Sequence, residues 1–136
     1  MGDHVLLTAK PLDPASMRAW LMGEERGAVV EFSGIVRRSE EGRRLRAIDY
    51  EIYEEMAEGT LHGLLEEAHR RWGEFDAVVA HRNGVVEVGA CAVYIAVSSV
   101  HRERAFQVCR WLIDELKQRA PVWKREFLPA DPLGGT

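Results

Sequence analysis

The spacing of apolar positions changes period several times along this chain, and each change marks an element. His4–Thr8 predicts a first strand through Val5, Leu6 and Leu7. Pro14–Met22 reads as a short helix: Asp13 can cap its open amides, and Pro14 is tolerated in a first turn. Gly27–Val36 is rich in Val29, Val30, Phe32, Ile35 and Val36, a strand composition. A polar loop from Arg37 to Arg44, with Gly42 near its tip, leads to a strand at Leu45–Tyr53. There Ile48, Tyr50 and Ile52 alternate with Asp49, Glu51 and Tyr53, a period of two that buries one face.

Met56–Trp72 has the helical period, with Leu61, Leu64, Leu65, Ala68 and Trp72 on one stripe and Gly73 placed to end it. Ala77–Ala80 predicts a strand, and Asn83-Gly84 is a tight-turn signal before Val85–Val88. Cys91–Ser98 is a nearly continuous apolar run, the mark of a central strand covered on both faces. A second long helix runs from about His101 to Arg119 on a stripe of Ala105, Cys109, Leu112 and Leu116. Ser98 or Ser99 is expected to cap it, which puts His101 and Arg102 in its first turn. Pro121 forbids continuation, and Val122–Leu128 predicts a final strand. Strands and helices do not strictly alternate in this βαββαβββαβ order. The class expected is α+β, a single domain over residues 1–136 with a mixed or antiparallel sheet packed by two main helices.

Composition narrows the function classes. At 136 residues the chain is long enough for a core without disulfides. No stretch approaches the ~18 apolar residues of a membrane span. Asp3, His4, Lys10 and Asp13 make residues 1–20 unlike a signal peptide, so a cytoplasmic protein is expected. Cys91 and Cys109 lack CxxC spacing and read as buried small hydrophobes, with a catalytic thiol as the alternative. The five histidines show no metal-ligand spacing, so no metal and no cofactor are expected. Net charge is −4, yet Arg37, Arg38, Arg43, Arg44 and Arg46 lie within ten positions. An overall negative field repels nucleic acid, whereas one small anion in a local pocket fits.

The charged residues also differ in kind. Only three of the 18 basic residues are lysines, and two of those, Lys117 and Lys124, fall within eight positions at a helix end and in the next strand. Lys, unlike Arg, can release a proton when partly desolvated and act as acid, base or nucleophile. Two solvated surface amines remain the alternative. His101-Arg102 at a helix start offers a neutral ring and a guanidinium fork for a phosphate or carboxylate. Trp123, opposite Lys124 by strand alternation, is expected to anchor the core. Asp114, Glu115 and the acids from Asp49 to Glu58 single out no dyad and read as solvated surface or a docking face for a basic partner.

Five segments together resemble a known family. They are Phe32-Ser33-Gly34-Ile35-Val36-Arg37, Tyr50-Glu51-Ile52-Tyr53-Glu54-Glu55-Met56-Ala57, His81-Arg82-Asn83-Gly84, His101-Arg102 with Ala105-Phe106, and Lys117 followed by Pro121-Val122-Trp123-Lys124-Arg125-Glu126. In this order, from about Gly27 to Phe127, they are similar to the large, catalytic subunit of molybdopterin synthase. The resemblance implies a hammerhead-like α+β homodimer. Each protomer would bind a small ubiquitin-like sulfur carrier, giving a heterotetramer. The carrier's C-terminal Gly-Gly thiocarboxylate would enter a pocket, and two sulfurs would pass in turn to cyclic pyranopterin monophosphate to form the dithiolene of molybdopterin. By matching motif, Lys117 and Lys124 would be the active-site lysines. Arg37, His101 and Arg102 would bind the pterin phosphate, with Val36, Arg125 and Glu126 beside them. One pocket lined by Arg37, Arg102, Lys117 and Lys124 is expected. The family's Gly- and Trp-containing tail has no match here, and residues 128–136 are expected to be loose.

Overall fold

A central strand organises the molecule. The computed structural model describes residues 2–131. In it the apolar run Cys91–Ser99 forms β7, hydrogen-bonded on one side to β5 (Asp76–Arg82) and on the other to β2 (Ala28–Ile35). β1 (His4–Thr8) completes this first sheet beyond β5, in the order β1-β5-β7-β2. Only the β1–β5 pair is parallel; β2 and β5 both run antiparallel to β7, so the sheet is mixed.

Alternation along β7 gives the sheet two different faces. Val93, Ile95 and Val97 join the core under α2 (Glu54–Trp72) and α3 (Arg102–Arg119), with Leu61, Leu65, Cys109, Leu112 and Leu116. Tyr94 and Ala96 face the other way, against Met17 of α1 (Pro14–Ala19) and Leu21 just beyond it. Burying one such Leu or Ile contributes about 1.5–3 kcal/mol, so the α2–α3 side holds most of the apolar stabilisation.

The second sheet is smaller and has its own core of Val36, Leu45, Ile48, Val86 and Ala92. Its strands are β3 (Ser39–Glu40), β4 (Arg43–Ile52) and β6 (Gly84–Glu87), and β8 (Val122–Pro129) also pairs β4. No helix among the described residues is long and apolar enough to cross a membrane.

Several expectations need correction. α1 ends at Ala19, three residues early, because the backbone passes into a turn that still buries Leu21. The loop after Arg37 contains a strand: β3 and β4 form a hairpin closed by Glu41 and Gly42, both at positive φ, as a tight two-residue turn requires. The order is therefore βαβββαβββαβ. The Asn83-Gly84 turn joins no hairpin; Gly84, at φ 92°, carries the chain from the first sheet into the second.

Neither serine caps α3. Ser99 Oγ donates to the His101 carbonyl, and His101 is itself the cap residue, with no side-chain cap bond. Trp123 is 48% exposed and packs edge-on against Tyr53, so it is a surface aromatic and not a core anchor. Asp49 is not solvated surface; it is buried beneath Arg125. Leu128 and Pro129, expected in the loose tail, still pair with β4, while residues 132–136 lie outside the described residues.

Candidate active site

A cavity of about 630 Å³ opens where the two sheets and the C-terminal end of α3 meet. Each of its charged residues is placed by a local feature. Lys117 occupies the last turn of α3, where a cation is favoured by the helix carbonyls. Pro121 then turns the chain into β8, and the register Tyr50↔Lys124 brings the second lysine alongside β4. Val36 is buried in the cavity wall just past β2, and Arg37 follows it at the mouth. Phe32, Val93, Ile113 and Leu116 supply apolar lining.

Sequence reasoning missed the residue that ties Lys124 and Arg37 together. Glu40 of β3 accepts from Lys124 Nζ at 3.1 Å through Oε1 and from Arg37 at 3.0 Å through Oε2. The Lys124 bond first, and the Arg37 bond second, hold its carboxyl below the usual range. A bridging carboxylate of this kind marks where an incoming anion would sit, since it satisfies the same donors. The Arg37–Glu40 spacing of three is visible in the sequence, but the pairing depends on β3, a two-residue strand with no apolar signal.

Tyr50, His81 and Ser33 add polar lining, and the Tyr50 and His81 rings sit edge-on with centroids 5.1 Å apart. Burial, with the Glu40 charge secondary, pushes the Tyr50 phenol up and keeps it protonated. Burial also pushes the His81 ring down, against the opposing effect of its bond to the Arg82 carbonyl.

The other expected site residues lie elsewhere. His101 and Arg102 are exposed at the opposite end of α3. Fifteen residues at 1.5 Å each separate Arg102 from Lys117 by about 22 Å. One chain therefore does not build the expected pocket of Arg37, Arg102, Lys117 and Lys124; it brings together Val36, Arg37, Lys117 and Lys124. Instead, His101 and Arg102 border a shallow recess with Gly27, Val100 and Glu103.

Arg125 and Glu126 are also outside the cavity lining. The pairing shifts between Asp49↔Glu126 and Tyr50↔Lys124, leaving Arg125 as the extra residue of a bulge that aims it at Asp49, 2.7 Å away. Neither cysteine lines the cavity, and burial pushes the Cys109 thiol up to about 11, which disfavours a nucleophilic thiolate. Among the described residues no group of three or more His, Cys, Asp or Glu is arranged to hold a metal ion.

Fold and site together define a class: a two-sheet α+β protein with two lysines and an arginine lining one cavity between its sheets. The chain belongs to the MoaE protein family, whose model matches residues 7–119. A molybdopterin synthase catalytic subunit from Thermoplasma volcanium is 41% identical over 128 residues, covering 94% of this chain and 93% of that one. The crystal structure of molybdopterin synthase from Staphylococcus aureus superposes with a TM-score of 0.86 at 32% identity, over 93% of this chain and 92% of that one. A complex of subunits 1 and 2 of the molybdopterin-converting factor from Helicobacter pylori shares the fold at a TM-score of 0.70 and 20% identity, over 96% of this chain and 90% of that one. The family is that of molybdopterin synthase catalytic subunits, in molybdenum cofactor biosynthesis.

Proposed function

We propose that this chain transfers two sulfurs, in successive rounds, from the C-terminal Gly-Gly thiocarboxylate of a small ubiquitin-like carrier to cyclic pyranopterin monophosphate, forming the molybdopterin dithiolene. The observation that carries this reading is the convergence of Arg37, Lys117 and Lys124 on one cavity, where Glu40 bridges Arg37 and Lys124. Thiocarboxylate and cyclic phosphate are both anions, and Glu40 already shows how Arg37 and Lys124 hold one.

In this reading Arg37 and Lys124 position the anions, and Lys124 stabilises negative charge developing at the reacting centre. Lys117 handles the acyl end of the thiocarboxylate, by proton transfer or by transient covalent capture. His101 and Arg102 cannot reach this cavity within their own chain. They join it from a second copy, in a homodimer that binds one carrier per protomer.

The test is a single-turnover assay of the purified chain with thiocarboxylated carrier and cyclic pyranopterin monophosphate. Molybdopterin is detected after oxidation to its fluorescent derivative. Product is expected; a carrier that binds without any product forming would overturn the proposal.

A further inference from the structure

His81 has no part in the roles assigned above, yet its surroundings are specific. It lies near the end of β5, and alternation puts it on the face of Ala77 and Val79, the face covered by α2 and α3. The residue is only 5% exposed and still lines the cavity. Its Nδ1 lies 2.8 Å from the Arg82 carbonyl oxygen. A carbonyl only accepts, so Nδ1 holds the ring hydrogen and Nε2 is left as a bare lone pair. Nε2 has no hydrogen-bond partner among the described residues. It is also absent from the sealed, unpartnered polar atoms, which are Arg26 Nε, Asp49 Oδ1, Arg82 Nε and Ser98 Oγ. It therefore opens on the cavity.

The other groups facing this space cannot do what Nε2 can. Arg37 and Lys124 hold the anions and Lys117 serves as proton donor, the Glu40 carboxylate is made a weaker base by its bonds to Lys124 and Arg37, the Ser33 hydroxyl is no base at neutral pH, and the Tyr50 phenol keeps its proton. The registered neighbours of His81 are apolar: Leu7 on β1 and Val93 on β7. Arg82 follows it on its own strand, where its guanidinium donates to the Ala9 and Val85 carbonyls.

We propose that His81, through Nε2, is the proton acceptor for the water that releases the carrier. This rests on the sulfur-transfer reading above, with Lys117 as a proton donor at the acyl end and not as its covalent acceptor. Once the thiocarboxylate sulfur has bonded to a pterin carbon, the carrier stays attached as a thioester. Water oxygen then bonds to the acyl carbon, and one water proton passes to Nε2. The carbon–sulfur bond breaks with its electron pair on sulfur, leaving a thiolate on the pterin. The carrier's new carboxylic acid gives its remaining proton to bulk water, and the His81 ring gives the proton it took to bulk water as well, which restores the neutral base. Burial suits the ring to this step by keeping it neutral and ready to accept at neutral pH.

The experiment follows single-turnover product formation from pH 5 to 9 for the wild-type chain, His81→Asn and His81→Gln. Asn can keep a donor toward the Arg82 carbonyl, and Gln can keep a polar group near Nε2; neither is a base. The wild type should lose rate on the acid side as the ring protonates. Both variants should be slower by about 10²-fold or more and lack that acid limb, with carrier half-saturation and thermal midpoint unchanged. A wild-type rate in either variant, or slow variants that keep the limb, would overturn the role of His81 alone. A wild-type chain making no product would overturn the sulfur-transfer reading beneath it. Imidazole nitrogen NMR of the free wild-type chain is a check independent of turnover: a charged ring at pH 7, or a hydrogen on Nε2, contradicts the proposal.

Discussion

The two ends of α3 hold the same kinds of residue and are built very differently. At the C-terminal end Lys117 lines a cavity of about 630 Å³ walled by both sheets, with Lys124 and Arg37 already organised around Glu40. At the N-terminal end His101 and Arg102 stand exposed over a shallow recess. One end is a cavity built within a single chain. The other is a set of exposed donors bordering recesses that hold none of the cavity's lysines. The helix between them fixes their separation: Val108, Cys109, Leu112 and Ile113 are buried against β7 and α2, so neither end moves independently.

The largest expected effect lies at the cavity end. Lys117→Ala should lower single-turnover product formation by about 10³-fold or more, while carrier binding measured by calorimetry stays largely intact. Near-normal turnover would remove Lys117 from the site. Next comes the rod joining the ends. Leu112→Ala leaves a hole in the main core and should cost about 2–5 kcal/mol, read by urea unfolding. A loss below 1 kcal/mol would mean that the core collapses around the gap and that α3 does not hold its ends rigidly.

A smaller effect, of opposite sign, is expected at Glu40. Glu40→Gln frees Arg37 and Lys124 and should tighten binding of cyclic pyranopterin monophosphate by roughly up to fivefold, the range of an exposed ion pair. Weaker binding would show that the carboxylate orders the two cations more than it competes with the ligand.

The smallest effect belongs to the opposite end of the molecule. There His69, in the last turn of α2, bonds the Gly73 carbonyl and Asp3, each at 2.8 Å. Burial pulls the ring's pKa down, but the Gly73 carbonyl and the Asp3 carboxylate outweigh it and raise the pKa above 6.5. A raised histidine pKa stabilises the fold fully below the unfolded value, and that contribution disappears as pH rises through the folded value. The thermal midpoint of the wild type should therefore fall relative to His69→Gln as pH is taken upward from 6.5. A flat difference between the two would contradict the tether.

Much of this was legible from residue order alone. Strong periodicity located β1, α2, β7 and α3 within a few residues, because each has one apolar face or run that only one packing satisfies. The two lysines and Arg37 were found by type and spacing, and the cavity does unite them. What was missed depends on long-range pairing. β3 has two residues and no apolar signal, so Glu40 could not be placed beside Lys124, 84 positions away. The Arg125 bulge and the burial of Asp49 arise from strand register, which sequence does not specify locally. The distance between His101-Arg102 and Lys117 did follow from helix length, but the family pattern grouped them without regard to that separation.

The central claim is that one functional site takes the cavity end from one chain and the His101-Arg102 end from another. Mixing two inactive variants, Lys117→Ala and Arg102→Ala, and allowing subunits to exchange tests it directly. If the site is shared, random pairing leaves about a quarter of the sites intact, so product formation should return to about that fraction of the wild-type rate. A mixture as inactive as either variant alone would place both residues in the same copy and contradict the account.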